Sequence, residues 1–193
     1  AWARWKGVKD WDGRGLAEKP PAWAAAHYGT RGAATNHIVG DGWWSWWIPL
    51  KGGDVSVGVV FDQRIVSFPD GPNIGERLRT FLSRHPVARE LLENAEHVEY
   101  DRHWRKNLAY QSDRLAGDGF VLVGDAAAFM DPFYSPGMDW ITSTPCRATY
   151  TITRQRGGED AAMLVEKHNR DFALCISRWF DALYRNKYQY VGE

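Results

Sequence analysis

Two cysteines among 193 residues, Cys146 and Cys175, are too few for a disulfide scaffold and have no metal-site spacing. No run approaches the roughly 18 uninterrupted apolar residues of a membrane-spanning helix, and no signal-peptide pattern opens the chain. An excess of either charge is missing too. Lys plus Arg and Asp plus Glu are both 24, so no net field argues for nucleic acid or an anionic membrane. Internal repeats and low-complexity tracts are absent. What remains is a chain expected to be soluble in a reducing cytoplasm, with one domain or a little more and enough length to bury a core.

What is plentiful is tryptophan, with eleven residues. So bulky a side chain with a single N–H donor lines either a core or an aromatic-binding cavity. Four of the eleven fall in Trp43-Trp44-Ser45-Trp46-Trp47-Ile48-Pro49-Leu50, which is followed by Lys51-Gly52-Gly53-Asp54 and then by Val55-Ser56-Val57-Gly58-Val59-Val60-Phe61. Two β-rich runs around a Gly-Gly turn are the clearest hairpin signal in the chain. On a strand, Trp44 and Trp46 share one face and Trp43 and Trp47 the other. Gly58 inside the second run implies close approach of another backbone or a large ring.

Before the hairpin, strands are expected at Trp2 to Val8 and Ala34 to Val39. A loop from Lys9 to His27 separates them, with at most a short helix over Ala22 to Ala26. After it, the period turns helical, with Ile74, Leu78, Phe81 and Leu82 on one face until His85-Pro86, and a second short helix follows. Strands are expected at His97 to Tyr100 and Asn107 to Gln111.

The run Phe120-Val121-Leu122-Val123 reads as a fully buried strand, and Gly124-Asp125-Ala126-Ala127 as a tight turn into a helix. Asp125 then sits at a strand end, where open α/β sheets bind ligands, and its carboxylate can accept from sugar or polyol hydroxyls. The same acid is equally an ordinary N-cap, and Pro132, Pro136 and Gly137 are equally loop punctuation. A buried helix is expected from Met138 to about Gln155, kinked or interrupted at Pro145. Glu159-Asp160 begin an amphipathic helix with Leu164, Phe172, Ile176, Trp179, Phe180 and Leu183 near one face, running to about Tyr190.

Gly124-Asp125-Ala126-Ala127, then Asp131-Pro132, then Ser135-Pro136-Gly137, resembles the second FAD-binding motif of flavin-dependent halogenases and aromatic monooxygenases, the family with the para-hydroxybenzoate-hydroxylase type of fold. Trp44-Ser45-Trp46-Trp47-Ile48-Pro49 matches the Trp-x-Trp-x-Ile-Pro pattern of the halogenases. The resemblance implies an α+β segment of an FAD-dependent α/β oxidoreductase. Residues 1–114 would be a mixed, largely antiparallel substrate-domain sheet with two helices, and residues 115–193 the C-terminal part of the FAD-binding domain, a strand and long helices.

It further implies FAD as cofactor, bound by Gly124, Asp125, Pro132, Ser135, Pro136, Gly137 and Met138. The substrate cavity would be lined by Trp44, Trp46, Ile48, Pro49, Phe133 and Tyr134. The reaction would oxidise or halogenate an electron-rich aromatic through a flavin hydroperoxide, with reduced FAD from a separate flavin reductase. An aromatic hydroxylase and a non-catalytic aromatic-binding module are the alternatives.

The chain departs from the family in its lack of a Gly-x-Gly-x-x-Gly fingerprint, so it is expected to be an internal segment, and no lysine here is assigned the family's catalytic role. In the loop, Tyr134, Pro136 and Gly137 stand where halogenases of free tryptophan resemble Glu-Ser-Thr-Gly. Tyr134 cannot act as the carboxylate, and Pro136 removes an N–H that a halide would use.

Overall fold

The computed structural model describes residues 1–12 and 31–185. The expected helix at Ala22 to Ala26 and the end of the last helix near Tyr190 lie outside the described residues. The chain forms two compact units that divide between Arg105 and Lys106, earlier than the expected boundary after residue 114.

The first unit is built on a five-stranded sheet of β1 (Trp2–Lys6), β2 (Asn36–Gly40), β3 (Trp43–Pro49), β4 (Val55–Phe61) and β5 (Glu96–His103), in the order β2-β3-β4-β1-β5. Every pairing is antiparallel. The hairpin pairs Trp47 with Val57 and Trp43 with Phe61, one residue off the register that a two-residue Gly52-Gly53 turn would set, because the Leu50 amide closes a longer loop on the Asp54 carbonyl at 2.8 Å. One face carries Ala3, Trp5, Trp47, Val57 and Val59, all at 0% exposure.

Two helices supply the other half of that core, α1 (Ile74–Leu82) and α2 (Pro86–Leu91), through Leu78, Phe81, Leu82 and Leu91. The Asn73 side chain caps α1 by accepting from the Glu76 amide at 3.0 Å. Pro86 opens α2 at a position where its missing N–H costs nothing. The Arg79 guanidinium donates to the Leu92 carbonyl at 2.8 Å and to Ala95 at 2.5 Å, satisfying acceptors beyond the end of α2.

The second unit contains four two-residue strands, β6 (Tyr110–Gln111), β7 (Ala116–Gly117), β8 (Phe120–Val121) and β9 (Ala128–Phe129), and two long helices, α3 (Pro136–Arg156) and α4 (Ala161–Trp179). Its core joins Leu115, Ala127, Ala128, Met130 and Trp140 to Phe172, Ile176 and Tyr184. Asp160 caps α4, accepting from the Ala162 amide at 2.8 Å, and a π-turn over Phe180–Tyr184 ends the described helix.

Several sequence expectations are corrected here. The run 120–123 is not a fully buried strand, because only Phe120 and Val121 pair, with β7, and Phe120 and Val123 stand 48% and 39% exposed. Beyond one further bond from the Leu122 amide to the Leu115 carbonyl at 2.7 Å, no described strand continues the ladder, and without ladder partners an apolar run has nothing to propagate it. The strand expected over Asn107 to Gln111 shrinks to β6, while β5 extends to His103. Helix α3 is not buried: Pro136, Trp140, Thr144 and Ala148 form its buried stripe, and the rest faces solvent. Nor does Pro145 interrupt it. The helix runs through that residue, with the Thr142 and Ser143 hydroxyls donating to the Asp139 carbonyl one turn back.

Candidate functional site

In the second unit, the apolar pair of β8 delivers the chain to a 3₁₀ turn over Gly124–Ala126. Gly124 has φ of +55°, a conformation that favours glycine, and a Cβ there would press on Ile141 of α3 at 3.0 Å. Its amide donates to the Thr144 hydroxyl at 2.7 Å, and Thr144, fully buried, donates in turn to the Trp140 carbonyl. From the other side, the Tyr110 hydroxyl donates to the Asp125 carbonyl. The turn is therefore pinned to α3 while the Asp125 side chain stays exposed.

The loop from β9 to α3 brings its residues to the same place. Asp131, 7% exposed, accepts from the Phe133 amide at 2.8 Å, and the Tyr184 hydroxyl donates to the Phe133 carbonyl. Tyr134 and Ser135 both take left-handed φ, 65° and 53°, so the loop reverses sharply into Pro136, the first residue of α3. A Cβ at Gly137 would meet only Asp125 Oδ1, at 3.7 Å. Asp125 and the opening turn of α3 thus border one open patch, where an exposed carboxylate stands beside the amide end of a helix. Pro136 has no N–H and the Met138 amide donates to the Ser135 carbonyl at 3.1 Å, which leaves Gly137 as the amide of that turn closest to the patch.

Of the expected cofactor residues, Gly124, Asp125, Ser135, Pro136 and Gly137 share this corner. Pro132 is half-buried in the loop and Met138 is 61% exposed. Phe133 and Tyr134 form a ring pair at 4.4 Å, with Tyr134 62% exposed.

In the first unit, Trp44, Trp46 and Ile48 lie on the sheet face opposite α1 and α2. Trp44 is 2% exposed, Trp46 half-buried and Ile48 37% exposed. Pro49 falls on the other face, in line with Trp43, Ser45 and Trp47. Trp47 is fully buried and donates from Nε1 to the Ser45 hydroxyl at 3.0 Å, and Trp43 packs edge-on against Phe81 at 5.1 Å. The ring that Gly58 implies is the indole of Trp46.

Two concave clefts, of about 420 Å³ and 720 Å³, lie along α3 and α4 and contain none of the expected site residues. The smaller is lined by Arg147, Lys167, His168 and Asp171 and the larger by Asp113, Arg114, Glu166 and Asn169. The larger is shaped by Asn169, whose side chain bonds the Leu115 and Ala116 amides and the Ala116 carbonyl at 2.8–2.9 Å. The turn-and-loop corner is the better candidate for the site, because an exposed acid and a helix start converge there, whereas in the smaller cleft Arg147 and Lys167 are both paired with Asp171 and in the larger Asn169 is committed to the backbone. No group of three or more metal-ligating side chains occurs among the described residues, and no described helix is long and apolar enough to cross a membrane. Reasoning from sequence missed Thr144 and Tyr110, which hold the turn; a lone hydroxyl inside a helix or loop gives no pattern to find it by.

The tryptophan halogenase family model matches residues 6–189. The chain is 35% identical over 107 residues to flavin-dependent halogenase chlA of Dictyostelium discoideum, covering 54% of this chain and 17% of that protein. It is 29% identical over 170 residues to sulochrin halogenase gedL of Aspergillus terreus, covering 86% of this chain and 29% of that protein. The chain thus spans less than a third of the length of these curated relatives. The structure of flavin-dependent brominase Bmp2 matches with a TM-score of 0.73 at 23% identity, covering 98% of this chain and 43% of that one, a likeness of fold. Because that model matches residues 6–189 of the 193, the chain belongs to the tryptophan halogenase family of flavin-dependent enzymes.

Proposed function

We propose that this chain contributes the ribityl-binding corner and the aromatic substrate wall of an FAD-dependent halogenase acting on an electron-rich aromatic ring. The observation that carries this reading is the exposed Asp125 carboxylate beside Gly137 at the start of α3, on a turn fixed by Thr144. Such a corner fits a flavin: the carboxylate accepts from ribityl hydroxyls, and the Gly137 backbone, with no side chain in the way, leaves room for a large planar group. When bound, FAD supplies the oxygen activation that the protein itself cannot. The chain's residues then hold and orient. Asp125, Gly124 and the loop of Pro132, Ser135, Pro136, Gly137 and Met138 position the cofactor, while Trp44, Trp46 and Ile48, on one face of the first unit's sheet, offer the substrate an aromatic wall.

A cytoplasmic setting and a separate flavin reductase as supplier of reduced FAD complete the proposal. The free state of Cys146 and Cys175 is consistent with a reducing compartment. One observation favours the hydroxylase alternative. Pro136 at the first helical position has no N–H, so the helix start offers a halide one donor fewer.

The test supplies reductase-generated reduced FAD, oxygen, bromide and a phenolic substrate. A brominated ring is the expected product. Hydroxylated product alone would move the protein to the monooxygenase branch, and loss of all flavin on purification with neither product would favour a binding module.

A further inference from the structure

The aromatic row on the first unit's sheet does not stop at the hairpin. Trp46 lies directly over the backbone of Gly58, where a Cβ would come within 2.2 Å of Trp46 Cζ2, 2.4 Å of Cη2 and 2.6 Å of Trp2 Cβ. No side chain fits that gap. Glycine weakens a strand interior, so folding alone disfavours it in the middle of β4. The Trp46 Nε1–H donates to the Ser56 hydroxyl at 3.2 Å. The indole plane is therefore set from below by the missing side chain of Gly58 and at its edge by Ser56.

The row continues across the sheet. Trp2, opposite Gly58 in the β1–β4 register, has its ring 6.4 Å from Trp46 and stacks on His103 of β5 at 4.9 Å, with 25° between planes. On the hairpin side, Trp44 lies 5.8 Å from Trp46. Four rings, Trp44, Trp46, Trp2 and His103, thus line one face in sequence, opposite the face that α1 and α2 cover. His103 gives the row a polar end. Its Nε2 is 2.9 Å from the Asp101 carboxylate, which orients the imidazole and leaves Nδ1 to meet a hydroxyl.

We propose that Gly58 and Ser56 are positioning residues that fix the plane of Trp46, and that Trp2 and His103 extend the substrate wall to β5, making the row specificity-determining for a hydroxylated aromatic ring. This rests on the reading that Trp44 and Trp46 border the substrate cavity. Stacked rings hold a flat substrate in one orientation, and a polar end selects a phenol over a plain hydrocarbon.

The test uses resorcinol as probe, with reductase-supplied reduced FAD, oxygen and bromide, and reads the ratio of monobrominated isomers, KM and kcat separately, and thermal stability. Gly58→Ala, Ser56→Ala and His103→Ala are each expected to change the isomer ratio or raise KM by about threefold to tenfold, the worth of one aromatic or hydrogen-bonded contact. Ser56→Thr, which keeps the hydroxyl, should restore the wild-type ratio. An active wild type whose ratio and KM are unmoved by Ser56→Ala and His103→Ala overturns the proposal, even if Gly58→Ala proves unstable. If the wild type brominates nothing, the functional reading has failed instead. The wall is then decided by resorcinol quenching of tryptophan emission: affinity weakened by Ser56→Ala and His103→Ala sustains it, and unchanged affinity or absent quenching overturns it.

Discussion

Each unit carries a run of β-formers that leads into a motif, and the two fare differently. In the first, Trp43–Pro49 has hydrogen-bonded neighbours on both sides, β2 and β4, and its inward Ser45 and Trp47 reach full burial beneath two helices. In the second, the equally apolar 120–123 keeps one short partner, and the turn after it is held by side chains: the Thr144 hydroxyl, the Tyr110 hydroxyl and the stripe of α3. Residue preference alone does not make a strand. The ladder around it decides, and where the ladder is short, point contacts do the holding. The first unit can therefore lose an outward ring and keep its fold, whereas the second depends on a few polar contacts for the geometry of its ligand corner.

The most damaging change should fall on the first unit's inner face. Trp47→Ala removes a fully buried indole and its bond to Ser45, and should cost about 3–5 kcal/mol. Trp46→Ala, on the outer face, should cost clearly less. Urea unfolding followed by circular dichroism separates them. Equal losses would mean that the two faces are not divided between core and site.

Next in size is Thr144→Val, which keeps the shape but leaves the buried Gly124 amide without an acceptor, a loss of about 1–3 kcal/mol. The loss should be local. Hydrogen exchange at the Gly124 and Ala127 amides should quicken while the β3–β4 amides stay protected. Unchanged exchange at Gly124 would show that the turn is held by something other than this hydroxyl.

How much of this was legible in the sequence follows the same division. The hairpin, the split of Trp44 and Trp46 from Trp43 and Trp47, and a close approach at Gly58 could be read because period-two alternation and a Gly-Gly turn are local signals, whereas the register, set by a longer loop than the two glycines, could not. Helix α1, its Pro86 boundary and the stripe of α4 were readable from period 3.6, except that His168 completes the stripe between Leu164 and Phe172, where a polar residue gave no apolar signal. The length of β8 and the exposure of α3 were not legible, since both depend on which partners lie alongside. At the corner, Asp125 and Gly137 could be nominated from the motif. Their meeting through Thr144 is a tertiary fact.

Smaller than Thr144→Val in its effect on the fold is Asp125→Ala. The side chain is exposed, so stability should hold within about 0.5 kcal/mol. FAD affinity should fall about tenfold, the worth of a lost charge-assisted hydrogen bond. Titration of the holoenzyme by flavin absorbance reads it, with Asp125→Asn expected to fall between. Undiminished affinity would move the cofactor away from the Gly124 turn and leave that corner purely structural.

The smallest expected effect is a pH dependence confined to the second unit. Burial, reinforced by the Arg147 charge and partly offset by Asp171, holds the His168 imidazole below its ordinary 6.5. Asp171 is held down by its bond to Lys167 and so stays ionised through the same window. Because the folded pKa lies below the unfolded one, the unfolded chain takes up the proton first as pH falls through about 6.5. Stability from this residue is therefore fully present above that pH and declines below it, until the folded state is protonated as well. Hydrogen exchange along α4, compared at pH 7 and pH 5.5 after correction for intrinsic rates, should show loosening at the lower pH that His168→Gln abolishes. A variant that keeps the full pH response would assign it to another group. A response equally strong in β3 and β4 would break the contrast, since the polar contacts that make the second unit's corner sensitive would then govern the first unit too.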